Sequence, residues 1–309
     1  MRHRVSFITT IFTFIVLFLG NLVVATEAGD ACGSDWPYCN GSLIPDFTDP
    51  LVVIEYSHRL FTGGLGFLIL INFFVAWRKK RPGEKSVKVL APLSVLLLFT
   101  QAFTGGLNVL LNTPPGFTTL DVSISLALLV SLVLLTVALK RKPVEKMEEA
   151  DIDQQKKLKR LYIPSLFAIS FLYFQIVLGA FFKHSGASEI VMGIQRSERL
   201  FHSIPLSQFL YFIHGIVSLG VAVAVAWVFF HALQKKVLVR SSLILVILVV
   251  FETIVGFMTV VTKIAVYSSS IHMIIATITL TVGAYIVGKA GFGEYFVIKE
   301  KNDHSDSSC

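Results

Sequence analysis

Three histidines, one glutamate and two cysteines carry the spacings in this chain that could do chemistry. His58, His214 and His272 each fall in the early part of a long apolar run, where an ionisable side chain is costly and marks a functional site by default. Imidazole is the commonest side chain for holding haem iron from helices. A lone His is equally at home as a hydrogen-bonded packing residue between helices. Three at one depth, two of them in corresponding helices of an internal repeat, favour ligation. Glu55 precedes His58 by one helical turn, so the two share a face. A partly desolvated carboxylate beside an iron ligand can move protons or stabilise developing positive charge, and the plainer alternative is an interfacial acid paired with Arg59. Cys32 and Cys39 flank a short loop rich in Gly and Pro, and two cysteines on the oxidising side suggest a disulfide. Neither their spacing nor their neighbours suggest zinc. Cys309, the last residue, reads as a bystander. His184 and His202 fall in an outer loop, His231 near the inner end of a span, and His3 and His304 in the tails. All read as surface residues, with His184 held in reserve. The chain has no phosphate loop, nucleophile elbow, HExxH pair or dinucleotide fingerprint.

The elements that must position these residues are membrane helices. Of 309 residues, 54% are hydrophobic and 15% charged, with a mean hydropathy of +0.72, whereas an ordinary soluble domain carries about 25% charged residues. Apolar runs long enough to cross a hydrocarbon core lie at roughly 5–26, 52–77, 89–112, 118–139, 161–182, 206–233, 241–263 and 270–290. A cleaved signal peptide would account for the first run alone. The fold class expected is therefore an all-α integral membrane protein with eight transmembrane helices. Its net charge of +7 comes from clusters at Arg2–Arg4, Arg78–Arg81, Lys140–Lys142, Lys156–Arg160, Lys235–Arg240 and Lys299–Lys301. All fall on one side of an eight-span arrangement, so the positive-inside rule makes both termini cytoplasmic. Lipid-binding switches and nucleic-acid patches are the other readings of such clusters. Orientation explains all of them together, and no nucleic-acid partner is expected.

The polar stretch from Lys140 to Arg160 divides the chain into two halves of four spans. Aligning the third and seventh spans places Gln101–Gly105 over Glu252–Gly256, and the same register places Asp121 over His272. His58 pairs likewise with His214, and Gly20 with Gly179. An even number of spans per repeat makes this a parallel repeat, so the expected architecture is two parallel-repeat four-helix bundles. The boundaries read 1–142 for the first half, 143–160 for a cytoplasmic linker, 161–292 for the second half and 293–309 for a cytoplasmic tail.

The stretch Gly29–Gly41, containing Cys32, Trp36, Pro37 and Cys39, followed by Ile54–Arg59 with Glu55 and His58, resembles the haem A synthase family of bacterial cytochrome oxidase assembly. The spans, the duplication and the positions of His214 and His272 extend the resemblance over nearly the whole chain. It implies a multi-pass oxidoreductase of the bacterial cell membrane that keeps haem b in its second half and takes haem O as substrate in its first. The implied reaction oxidises the C8 methyl of haem O to a formyl group by successive hydroxylation. The resemblance makes Glu55 the catalytic carboxylate, His58 the haem O-side ligand, and His214 with His272 the haem b iron ligands. It makes Cys32 and Cys39 a redox-sensitive disulfide pair, and it implies a haem O synthase (a farnesyltransferase) and a terminal oxidase as partners. Three positions depart from the pattern, as in a divergent paralogue. Asp121 stands where the family has a second first-half His, Asn40 where a His often follows the second Cys, and Gly215 where an Arg follows the third His. A carboxylate is a harder, anionic ligand and does not reproduce a bis-imidazole site. Asp121 either sits near the iron, protonated or paired with Arg59, or caps the fourth helix. Beside the enzyme stand two rival readings. One is a non-catalytic haem b-binding membrane protein for electron transfer, haem delivery or oxidase assembly. The other, weaker because the polar residues cluster at one edge, is a transporter.

Overall fold

Inside hydrocarbon every backbone N–H and C=O must find its partner within the segment, so long uncharged runs fold as helices. Eight helices are long and apolar enough to cross a membrane: α1 (Arg2–Ala25), α2 (Pro50–Trp77), α3 (Lys85–Leu110), α4 (Phe117–Leu139), α6 (Tyr162–His184), α8 (Ile204–Lys235), α9 (Val239–Val261) and α10 (Val266–Gly291). The computed structural model describes residues 2–34, 38–77, 85–111, 116–140, 149–194 and 203–292. Trp36 and Pro37, the basic clusters at 78–81 and 141–142, residues 143–148 of the linker, His202, and the tail from 293 to 309 with His304 and Cys309 lie outside the described residues.

Each expected span coincides with one helix. The clearest difference is at α10, which begins at Val266 rather than near 270. Its first turn holds Ser268 and Ser269, whose hydroxyls donate to the carbonyls of Ala265 and Val266, so a serine run that reads as loop closes on its own backbone instead. Two shorter helices were not expected. α5 (Glu149–Lys159) occupies most of what reads as a linker, and α7 (Ala187–Val191) lies in the loop after α6. α5 is charged along its length, with an Asp153–Lys157 pair one turn apart. It docks through Leu158 on a cluster with Leu161, Tyr162 and Ala290.

Helix succession puts the Cys32–Cys39 loop, the end of α3 with the start of α4, and α7 on one face, here the loop face, and the start of α1 and the end of α10 on the opposite, terminal face. α1 packs on α2 and α4, and α3 on the same two helices. α6 packs on α8 and α10, and α9 on those two; α4, α6, α10 and α1 meet in the middle. The largest core cluster gathers Leu126 and Leu129 of α4, Leu172 of α6, Val228 of α8, and Leu280 and Ile286 of α10. Small residues let α10 take this central place. A β-carbon at Gly288 would stand 3.2 Å from side-chain carbons of Leu134 and Val137, so glycine there allows α10 and α4 to approach closely. Large apolar side chains such as Phe74, Leu96, Phe103 and Val223 are exposed on the helix surfaces away from the interior, as lipid-facing positions should be.

Leu280 is fully buried among α4, α6 and α8. Leu280→Ala should cost about 2–5 kcal/mol of stability, read as a lower unfolding temperature in detergent; Phe103→Ala, on the exposed surface, is the control expected to leave it unchanged.

Candidate functional site

Each of α1, α3, α6 and α9 carries, toward the loop face, a glycine opposite a polar side chain of the helix with which it pairs. A β-carbon at Gly20 of α1 would lie 2.9 Å from Cε1 of His58 on α2. At Gly179 of α6 it would lie 2.9 Å from Cε1 of His214 on α8, and at Gly256 of α9 it would lie 3.0 Å from Cε1 of His272 on α10. All three rings press Cε1 toward the bare backbone, with a nitrogen to either side. At the fourth position, Gly105 of α3 faces Oδ1 of Asp121 on α4, at 3.9 Å from the corresponding β-carbon position. Only glycine leaves room for a ring to approach a helix backbone this closely.

One turn before each glycine, on the same helix face, stand Val16, Gln101, Gln175 and Glu252. Gln175 Nε2 lies 3.1 Å from Nδ1 and 3.3 Å from Nε2 of His214, and donates to the His214 carbonyl at 3.0 Å and to Ser218 Oγ at 2.5 Å. Gln101 Nε2 donates to Asp121 Oδ1 at 2.6 Å. Glu252 Oε1 lies 2.9 Å from His272 Nδ1. Phe182 stacks beside the His214 ring, centroids 6.2 Å apart.

Over α2 the loop is tied down from below. Cys32 and Cys39 are joined by a disulfide and buried with Val52. Glu55, 4% exposed, accepts from the Cys32 backbone N–H at 2.6 Å through Oε2, and from Arg59 Nε and Nη2 at 3.0 and 2.5 Å through Oε1. Arg59 also donates to the carbonyls of Gly33 and Tyr38. The pairing of Glu55 with Arg59 is therefore present, but as a buried clamp on the cysteine loop and not as an exposed pair at the membrane edge. Asn40 adopts a left-handed φ of 52° and donates to the Ala31 carbonyl. Asn tolerates that backbone conformation better than most residues.

His58, Asp121, His214, His272 and Glu55 all line one cavity of about 1610 Å³ that runs through both halves of the molecule. An ordinary small-molecule pocket spans about 300–1,000 Å³, so this space suits one very large ligand or two. Its wall is mostly apolar, yet Asn21 Nδ2 and Asn108 Oδ1 are buried in it without a partner, as places for polar substituents would be. Among the described residues no three His, Cys, Asp or Glu gather closely enough to hold a bare metal ion. His58, His214 and His272 come instead from three different helices around the cavity, as a large ligand held at several points would need.

Two expectations are corrected. Asp121 is not a helix cap: α4 starts at Phe117 with Gly116 in the capping position. Its carboxylate takes Gln101 rather than Arg59, whose guanidinium is occupied by Glu55 and the cysteine loop. His184 is not a loop residue; it ends α6 and lines the cavity. His231 lies near the terminal face, its Nδ1 3.1 Å from the Trp227 carbonyl, away from the cavity. Gly215 has open space around it, so α8 has no counterpart of the Arg59 clamp. Sequence reasoning passed over Gln101, Gln175 and Glu252 as partners of the site. The signal that finds them is the four-residue spacing to a glycine, met once in each of α1, α3, α6 and α9.

A family model described as cytochrome oxidase assembly protein matches residues 3–283. The chain is similar to the heme A synthase of Halalkalibacterium halodurans, 32% identical over 289 residues that cover 91% of this chain and 94% of that protein. It is 29% identical over 288 residues to the heme A synthase of Alkalihalophilus pseudofirmus, covering 91% and 94%. With the heme A synthase of Bacillus mycoides it shares 28% over 292 residues, covering 91% and 90%.

Arg59→Gln removes the guanidinium that joins Glu55 to the carbonyls of Gly33 and Tyr38. The Cys32–Cys39 bond should then open several-fold faster in a mild reductant, measured by thiol alkylation and mass mapping. An unchanged rate would show that the loop holds without the clamp.

Proposed function

We propose, from the premise that the chain belongs to the family of cytochrome oxidase assembly proteins that includes the haem A synthases, that this membrane protein is an oxidoreductase of haem A biosynthesis. On this reading it converts the C8 methyl of haem O to a formyl group by successive hydroxylation. The observation that carries the reading is a large cavity lined by His58, His214 and His272 together, each ring seated on a glycine of the neighbouring helix. Haem b is the resident cofactor, supplying redox chemistry when bound, and His214 and His272 are the residues that would hold it. Haem O is the substrate, with His58 as its imidazole and Glu55 as the nearby carboxylate.

The chain's own residues have definable tasks. Gly20, Gly179 and Gly256 leave each ring the room to lie against the neighbouring helix backbone. The apolar wall excludes water, which strengthens every electrostatic interaction within the cavity. Glu55, joined to Cys32 through its backbone N–H, links the state of the disulfide loop to the residue one turn from His58 and can hold a proton for the substrate side. The neighbour order of the helices and the four glycine-facing positions support a duplicated pair of four-helix units. The distribution of Lys and Arg supports cytoplasmic termini in a bacterial cell membrane. A haem O synthase would supply the substrate and a terminal oxidase would use the product.

A second reading is favoured by one specific observation. With Asp121 held by Gln101 where the second half has His272, the substrate side has a single imidazole, as a non-catalytic haem b-binding protein for electron transfer, delivery or assembly would tolerate.

Extraction and chromatography of haem from the protein co-expressed with a source of haem O decides between the two: haem A or hydroxylated haem O supports the enzyme, haem b alone the second reading. His214→Ala and His272→Ala should each abolish the low-spin haem b spectrum, and an unchanged spectrum in both would remove these residues as ligands. Asp121→His should add six-coordinate low-spin character on the substrate side and raise product yield several-fold. If wild type already holds two bis-imidazole haems and this substitution changes nothing, the reading of Asp121 fails.

A further inference from the structure

We infer that Glu252 sets the charge around the second-half haem through His272, acting as a positioning residue that holds the reduction potential of that haem low. The inference rests on haem b being bound by His214 and His272, as proposed above.

Four side chains occupy the same register one turn before the seating glycines: Val16, Gln101, Gln175 and Glu252. Only Glu252 can carry a charge. Its Oε1 lies 2.9 Å from His272 Nδ1, and its Oε2 is buried without a partner. Its side chain is 17% exposed and lines the cavity. A carboxylate inside a membrane span is retained only where something repays its lost hydration, and His272 is the group placed to do so. Packing alone would be met as well by an amide, as Gln101 and Gln175 show at the matching positions.

The approach is close but off the direction of a ring N–H hydrogen bond, so Glu252 acts on His272 by charge at short range. In a low-dielectric wall such a charge is felt far more strongly than in water. Partners of an axial ligand, and charge around it, are recognised controls of haem potential. A negative charge beside the imidazole favours the more positive, ferric state and so lowers the potential. His214 has the neutral amide of Gln175 instead. The two ligands of one haem therefore differ in electrostatic partner, and Glu252 makes the difference.

The test uses the purified, full-length, haem-loaded protein in detergent, with haem content, optical spectrum, electron paramagnetic resonance and a spectroelectrochemical titration as readouts. Glu252→Gln keeps the shape and removes the charge. It should retain haem b with low-spin bands, move the midpoint potential upward, and shift the largest g value. Glu252→Asp should return part of the shift. Gln175→Glu, which places a second carboxylate beside His214, should move the potential downward and keeps the inference testable if Glu252→Gln fails to hold haem. A haem-loaded Glu252→Gln protein with the wild-type potential overturns the inference, and so does an unchanged potential in Gln175→Glu. Wild-type protein purified without haem b overturns the functional reading on which both stand, which separates the two failures.

Discussion

The site depends on one steric condition: an imidazole pressed against a stretch of helix that has no side chain. Gly20, Gly179 and Gly256 stand where a β-carbon would meet the ring at 3.0 Å or less. The neighbouring backbone is the floor on which each ring rests, with Cε1 nearest to it and both nitrogens farther away. The condition is expensive in sequence terms, since glycine weakens a helix by about 1 kcal/mol relative to alanine. Three such glycines placed opposite three histidines make sense only if ring orientation matters.

A second constraint follows from the solvent. A membrane interior provides no water to satisfy stray polar groups, and several ionisable residues of the site stand against a polar group of another segment or turn. Glu55 has the Cys32 N–H and Arg59, Asp121 has Gln101, and His272 has Glu252. These contacts join helices and loop that are distant in sequence. The clamp of Arg59 on Gly33 and Tyr38 makes the cysteine loop part of the site and not a surface appendage.

Two helix pairs place different polar partners beside their glycines. Where the α9–α10 pair holds a carboxylate on α9 and an imidazole on α10, the α3–α4 pair holds an amide on α3 and a carboxylate on α4. The exchange keeps a polar contact across each helix pair while changing which of them presents a nitrogen donor to the cavity.

The eight spans were legible in the sequence because hydropathy over about 20 residues is a local property and hydrocarbon leaves a helix as the only solution. The place of His58, His214 and His272 along their helices and the spacing of Glu55 to His58 were legible for the same reason: helical register is fixed by counting. The cysteine pair was legible from its short loop. What counting along one helix cannot give is which side chain faces it from another. The burial of Glu55 beneath Cys32, the occupation of Asp121 by Gln101, the place of His184 in the cavity wall and the first turn of α10 all arise from contacts between segments or from local hydroxyl bonding. The inter-helix contacts depend on how closely helices approach, and that distance is set by small residues such as Gly256 and Gly288 meeting particular neighbours. The sequence determined where along its helix each candidate residue stands; only the packed helices decided its partner.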